Sequence, residues 1–168
     1  DYTNIKETLF QDLEKIRSET LDLLIRGGSG ILRGEVLNVC PNGIISFHHA
    51  DNDVNRGGPP GFWEVYAREP RTGFTIQILT DELDGGDVVY KGYITTSILY
   101  TINLANLYLK SNVFLHKAIE RLANPNLMTN IYPKSPYSHE LFTTPTFFQQ
   151  LKYITITAHI IFKKCVRK

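Results

Sequence analysis

The stretch that decides the fold runs from Ile44 to Asp87. It reads Ile44-Ile45-Ser46-Phe47-His48-His49, then Arg56-Gly57-Gly58-Pro59-Pro60, then Thr72-Gly73, then Leu83-Asp84-Gly85-Gly86-Asp87. Ile44 to Phe47 is a short apolar run behind the turn signal Pro41-Asn42-Gly43, which predicts a buried strand. Gly73 to Leu79 alternates Phe74, Ile76 and Ile78 and predicts another. Residues 49 to 61, rich in Asp, Asn, Gly and Pro, read as loop, and Phe62 to Ala67 as a short helix. His48 then closes one strand and Asp84 lies just past the next. In open α/β sheets, sites form beyond the carboxyl ends of strands. The chain can therefore bring an imidazole and a carboxylate to one edge.

Upstream, Asn4 and Glu7 have the spacing of a capping box, and Ile5, Leu9, Leu13 and Ile16 follow at helical intervals, so residues 4 to 18 read as an amphipathic helix. Leu21 to Ile25 is a buried-strand candidate that runs into the loop Arg26-Gly27-Gly28-Ser29-Gly30, and Leu32 to Leu37 reads as a short helix. Downstream, Val88 to Ile94 predicts a fourth strand. The alternation argues an α/β fold with at least part of its sheet parallel. After Thr96 the pattern turns helical. Leu99, Ile102 and Leu107, then Val113, Leu115, Ile119 and Leu122, predict two helices. Asn124 to Pro145 reads as loop, and Phe147, Leu151, Ile154, Ala158 and Ile161 predict a last helix.

The chain has 168 residues, the size of one domain, and 42% hydrophobic residues, enough for a core. Its net charge of +1 supplies no field for DNA or for a membrane surface. No apolar run is long enough to span a bilayer. Cys40 and Cys165, far apart and with no signal peptide, read as reduced thiols of a cytoplasmic protein. A start at Asp1 fits a fragment of a longer protein.

The His48 and Asp84 pair carries the chemistry. A carboxylate beside an imidazole favours its charged form and fixes its tautomer. Such a histidine stabilises an oxyanion or relays a proton from an attacking amine. The residues alone leave a plainer reading open, in which His48 merely ends a strand and Asp84 sits in a turn. His48, His49, Asp51 and Asp53 are suitable metal ligands, but adjacent strand residues point to opposite faces, so no metal site is expected. Trp63 and Tyr66 read as packing residues, with stacking on a flat ligand as the alternative. Lys163, Lys164, Arg167 and Lys168 form a basic tail, read as solvated, with acidic lipid or tRNA as the alternative.

Four motifs in this order resemble the folate-dependent formyltransferases, whose pattern is Asn-x-His, then Arg-Gly, then Thr-Gly, then Leu-Asp-x-Gly. Here these are Ser46-Phe47-His48, Arg56-Gly57, Thr72-Gly73 and Leu83-Asp84-Gly85-Gly86. Ser29-Gly30-Ile31-Leu32 is similar to the loop that flanks the folate pocket in that family. The resemblance covers roughly Leu21 to Gly92. It implies a partial doubly wound, Rossmann-like formyltransferase sheet with a helical C-terminal extension. Residues 1–96 would be the catalytic core, lacking the family's opening strand-helix-strand, and residues 97–168 a mainly helical extension. It implies 10-formyltetrahydrofolate as formyl donor and a small-molecule amine acceptor, with an amino sugar as one acceptor class. His48 is then catalytic, Asp84 its partner and Ser46 the counterpart of the family asparagine. Gly30, Ile31, Leu32, Leu83, Gly85 and Gly86 are expected to contact the cofactor.

Two departures mark a divergent branch. Ser46 replaces the asparagine, and His49-Ala50-Asp51-Asn52-Asp53 replaces the usual Ser-Leu-Leu-Pro. The rival readings are a 10-formyltetrahydrofolate hydrolase and a degenerate domain that binds without catalysis. The apolar run at Leu21 to Ile25 would form an open sheet edge, which predicts self-association, most simply as a homodimer, or cover by the chain's own helical extension.

Overall fold

The structure, a computed structural model, describes residues 11–28, 30–124, 126–127, 132 and 141–166. Residues 11–18 are helical (α1), and Leu13 and Ile16 are its half-buried side chains, as the helical period requires. The capping box at Asn4 lies outside the described residues. Four strands follow, β1 (Leu24–Arg26), β2 (Ile44–His48), β3 (Arg71–Ile78) and β4 (Asp87–Thr95). They lie in that order in one sheet. β1 and β2 are parallel and β2 and β3 antiparallel. The helices are α2 (Phe62–Ala67), α3 (Tyr100–Asn112), α4 (Leu115–Ala123) and α5 (Phe147–Val166).

Two expected elements differ in detail. The first strand is shorter and later than Leu21 to Ile25, and it is not fully buried: Leu21 is 41% and Ile25 50% exposed. The ladder sets its limits. The Leu24 amide donates to the Gly43 carbonyl, and pairing then runs Leu24 with Ile44, Ile25 with Ile45, and Arg26 with Ser46. An apolar run does not reveal where its partner begins. Leu32 to Leu37 is not an α-helix but a 3-10 segment at Gly34–Asn38. The turn before β2 is as expected, with Gly43 at φ +73° and its amide on the Cys40 carbonyl.

The chain divides into two compact units. One comprises Asp1–His48, Thr75–Lys91 and Phe114–Ser135. Its core is Ile45, Ile76, Val89 and Ala118, closed over by Phe47, Ile78, Tyr90, Phe114, Leu115 and Leu122. Period-two alternation on the strands and an amphipathic α4 together produce this cluster. Arg121 of α4 donates to the Val89 carbonyl and lies over the Tyr90 ring.

The other unit comprises His49–Phe74, Gly92–Val113 and Pro136–Lys168. Phe62 is its aromatic centre, with Tyr100 edge-on at 5.3 Å and Tyr153 at 5.7 Å between centroids. Burial pushes the Tyr100 phenol up. α2 ends at Arg68, whose own amide donates to the Glu64 and Val65 carbonyls and whose left-handed backbone turns the Glu69 amide back onto the Glu64 carbonyl. The wholly buried Asn103 of α3 donates to the Gly61 carbonyl and accepts from the Ser97 amide. In α5 the helix is as predicted but its packed face is not. Tyr153, Ile156, Thr157 and Ile160 turn inward, while Phe147, Leu151, Ile154 and Phe162 are exposed.

Candidate active site

β2 alternates, so Ser46 and His48 share one face and Phe47 the other. Both polar residues are nearly buried, at 4% and 7% exposure. His48 Nδ1 lies 3.2 Å from Asp84 Oδ1, so the two residues expected to cooperate are in contact. Asp84 reaches that position from a turn beyond β3. Its φ of +50° is left-handed, a conformation that Asp tolerates better than most residues. The Gly85 amide closes the turn on the Glu82 carbonyl. Gly86 permits a close return, since a Cβ there would stand 2.1 Å from the Ile78 carbonyl oxygen. A larger residue would push the turn off β3 and take Asp84 with it.

The expected cofactor residues fall on two loops. Gly30, at φ +100°, opens the loop that carries Ile31 and Leu32. Leu83, Gly85 and Gly86 belong to the turn that holds Asp84. A hydrogen bond of 3.0 Å from the Gly34 amide to Asp81 Oδ1 ties the two loops. Ile31 is 61% exposed, and Leu32 and Leu83 are half-buried. Tethered loops with accessible apolar side chains suit a flat aromatic group such as a pterin. Ser29 lies outside the described residues.

Arg26 is a site residue that sequence reasoning missed. Its Nη1 donates to Ser46 Oγ at 3.3 Å, and its Nη2 donates to the Gly30 carbonyl. The Ser46 hydroxyl also has the Phe47 carbonyl at 3.4 Å. Nothing in the sequence signals this, because Arg26 stands twenty positions before Ser46 and only the parallel register sets them side by side.

The remaining candidates have other surroundings. The His49 ring lies 4.1 Å from that of Tyr108, and Asp51 accepts from the Tyr93 hydroxyl at 2.5 Å. Among the described residues no three His, Cys, Asp or Glu converge as a metal site. Trp63 donates to the Gly58 carbonyl at 3.1 Å and packs against Phe62, Tyr66 and Phe142. With Val54 and Ala67, the rings of Trp63, Tyr66 and Phe142 line an apolar cavity of about 320 Å³. Lys163 and Lys164 are exposed in the last turn of α5, while Arg167 and Lys168 lie outside the described residues. Among the described residues no helix is long and apolar enough to cross a membrane.

No protein-family model matches the chain. Curated relatives do. The methionyl-tRNA formyltransferase of Bacillus velezensis is 30% identical over 130 residues, 76% of this chain and 40% of that protein. That of Desulforamulus reducens is 27% identical over 144 residues, 84% of this chain and 43% of that protein. The chain thus spans about two fifths of the length of these relatives. Among solved structures, phosphoribosylglycinamide formyltransferase from Streptococcus pneumoniae superposes with a TM-score of 0.61 at 16% identity, covering 74% of this chain and 69% of that one. An N-formyltransferase from Helicobacter canadensis gives 0.56 at 13% identity, covering 75% and 51%. The sequence relatives, the shared α/β fold and the ordered motifs around His48 and Asp84 agree, and the chain belongs to the formyltransferase family.

Proposed function

We propose that the chain is the catalytic part of an N-formyltransferase that moves a formyl group from 10-formyltetrahydrofolate to an amine. The contact between His48 Nδ1 and Asp84 Oδ1 carries the reading. The donor supplies an activated formyl carbon; the amine nitrogen bonds to it, and the folate nitrogen leaves with a proton. The carboxylate of Asp84 holds His48 in the tautomer with its proton on Nδ1 and directs Nε2 to the reacting group. Nε2 takes the proton that the amine loses; the imidazolium so formed stabilises the oxygen that has turned negative and passes the proton to the departing folate nitrogen. Ile31, Leu32 and Leu83, on loops tied by Asp81, hold the pterin.

For the acceptor we favour an amino sugar. The departure at His49 to Asp53 sets this chain apart from the family's usual wording, and the Helicobacter canadensis relative was solved with folinic acid and dTDP-3-aminofucose. The competing acceptor is methionyl-tRNA, the substrate named for the sequence relatives. The test is formyl transfer by the protein in its natural length, offered nucleotide-linked amino sugars and charged initiator tRNA. Transfer to the sugar and not to the tRNA is expected. Formate release without any amine, and no transfer, would favour a hydrolase instead.

A further inference from the structure

We propose that Arg26 and Ser46 together form an oxyanion site beside His48, with the Arg26 guanidinium supplying the donor that a serine alone lacks. The inference rests on the formyl-transfer reading and assigns one part of it. A serine hydroxyl is a short single donor. Losing one oxyanion donor typically costs about 100- to 1,000-fold in turnover, so a working site with Ser46 needs another. Arg26 is placed to be that donor. The parallel ladder sets it opposite Ser46, on the face of the sheet that also carries His48.

The arrangement is pre-organised. Nη1 reaches Ser46 Oγ at 3.3 Å, and Nη2 lies against the Gly30 carbonyl. A guanidinium has five N–H donors in one plane, so these bonds orient it without exhausting it. Arg26 is half-buried, and among the described residues no carboxylate forms an ion pair with it. A half-buried cation at this place is suited to a negative charge that develops during reaction. The Ser46 hydroxyl contributes as well. Its bond to the Phe47 carbonyl is long, at 3.4 Å, and a nearby oxyanion is a better acceptor. The formyl oxygen gains charge as the amine attacks and returns it when the carbonyl reforms.

The test uses formate as a small oxyanion probe. The His48 ring resonances of the 168-residue chain are followed by NMR during titration with sodium formate, against sodium chloride at equal ionic strength. Formate is expected to shift His48 in the wild type and to bind at least ten-fold more weakly to R26Q. R26K should not restore binding, because an ammonium is a point charge without the fork. The double variant R26Q/S46N should recover most of it, with the amide standing in for the guanidinium. Thermal melts of each variant separate loss of the site from loss of the fold. A His48 signal unmoved by formate in the folded wild type overturns the proposal, and so does R26Q binding formate as tightly as the wild type. In the natural-length enzyme, R26Q should lower kcat about 100- to 1,000-fold. If that enzyme transfers no formyl group to any amine while formate binding still depends on Arg26, the formyltransferase reading fails and the anion site stands.

Discussion

At the scale of single residues, the chemistry depends on angles that neighbours enforce. Asp84 bonds His48 from a left-handed turn that Gly86 allows to lie against β3. If the pair acts as a unit, its members cannot fail independently. His48→Ala should lower turnover about 100- to 10,000-fold, the range of general acid-base catalysis. Asp84→Asn should cost a comparable factor, because the amide no longer fixes the tautomer. Adding the second change should lower it only a few-fold further. Turnover of the single and double variants in the natural-length enzyme checks this, and losses that multiply would count against the pair. This pair was legible in the sequence because His48 closes a strand of visible period, Asp84 follows the next strand in a glycine-rich turn, and the order of the four motifs sets the two together. Arg26 was not, because its role comes from a neighbour across the ladder.

At the scale of elements, local pattern revealed what forms but not what it touches. The strand alternation at Phe74, Ile76 and Ile78 and the short helix at Phe62 to Ala67 were readable from period and turn residues. The bounds of β1 were not, since the Gly43 carbonyl decides where pairing starts. Nor was the inward face of α5, where apolar residues surround most of the helix and tertiary contacts select among them. The α3 helix is held by an equally unpatterned contact. Asn103 bonds the Gly61 carbonyl, Thr72 Oγ1 and the Ser97 amide from a site with no solvent exposure. Removing one buried partner costs about 1–3 kcal/mol. Asn103→Ala strands several, so about 3 kcal/mol of lost stability is expected in urea denaturation. A loss under about 1 kcal/mol would show that the network is dispensable.

For the whole molecule, two surfaces remain open among the described residues. β1 is one of the two outer strands, with Ile25 half exposed, and α5 presents Phe147 at 73%, Phe148 at 78% and Phe162 at 67% exposure. Large apolar side chains exposed in this way favour association. We expect the 168-residue chain to self-associate, the closed solution being a symmetric dimer. Light scattering should show a mass that rises with concentration, and F148E/F162E should return it to the monomer. A wild type that stays monomeric at high concentration would sink the expectation. The brevity of β1 has a further consequence. Three paired residues join it to β2, and Arg26 meets Ser46 only in that register. A slip of one position would leave every helix in place and turn Arg26 to the opposite side of the sheet. Two preparations with the same spectrum and the same melting curve could then differ in specific activity, and active-site titration would be the proper measure of how much of a sample is correctly assembled.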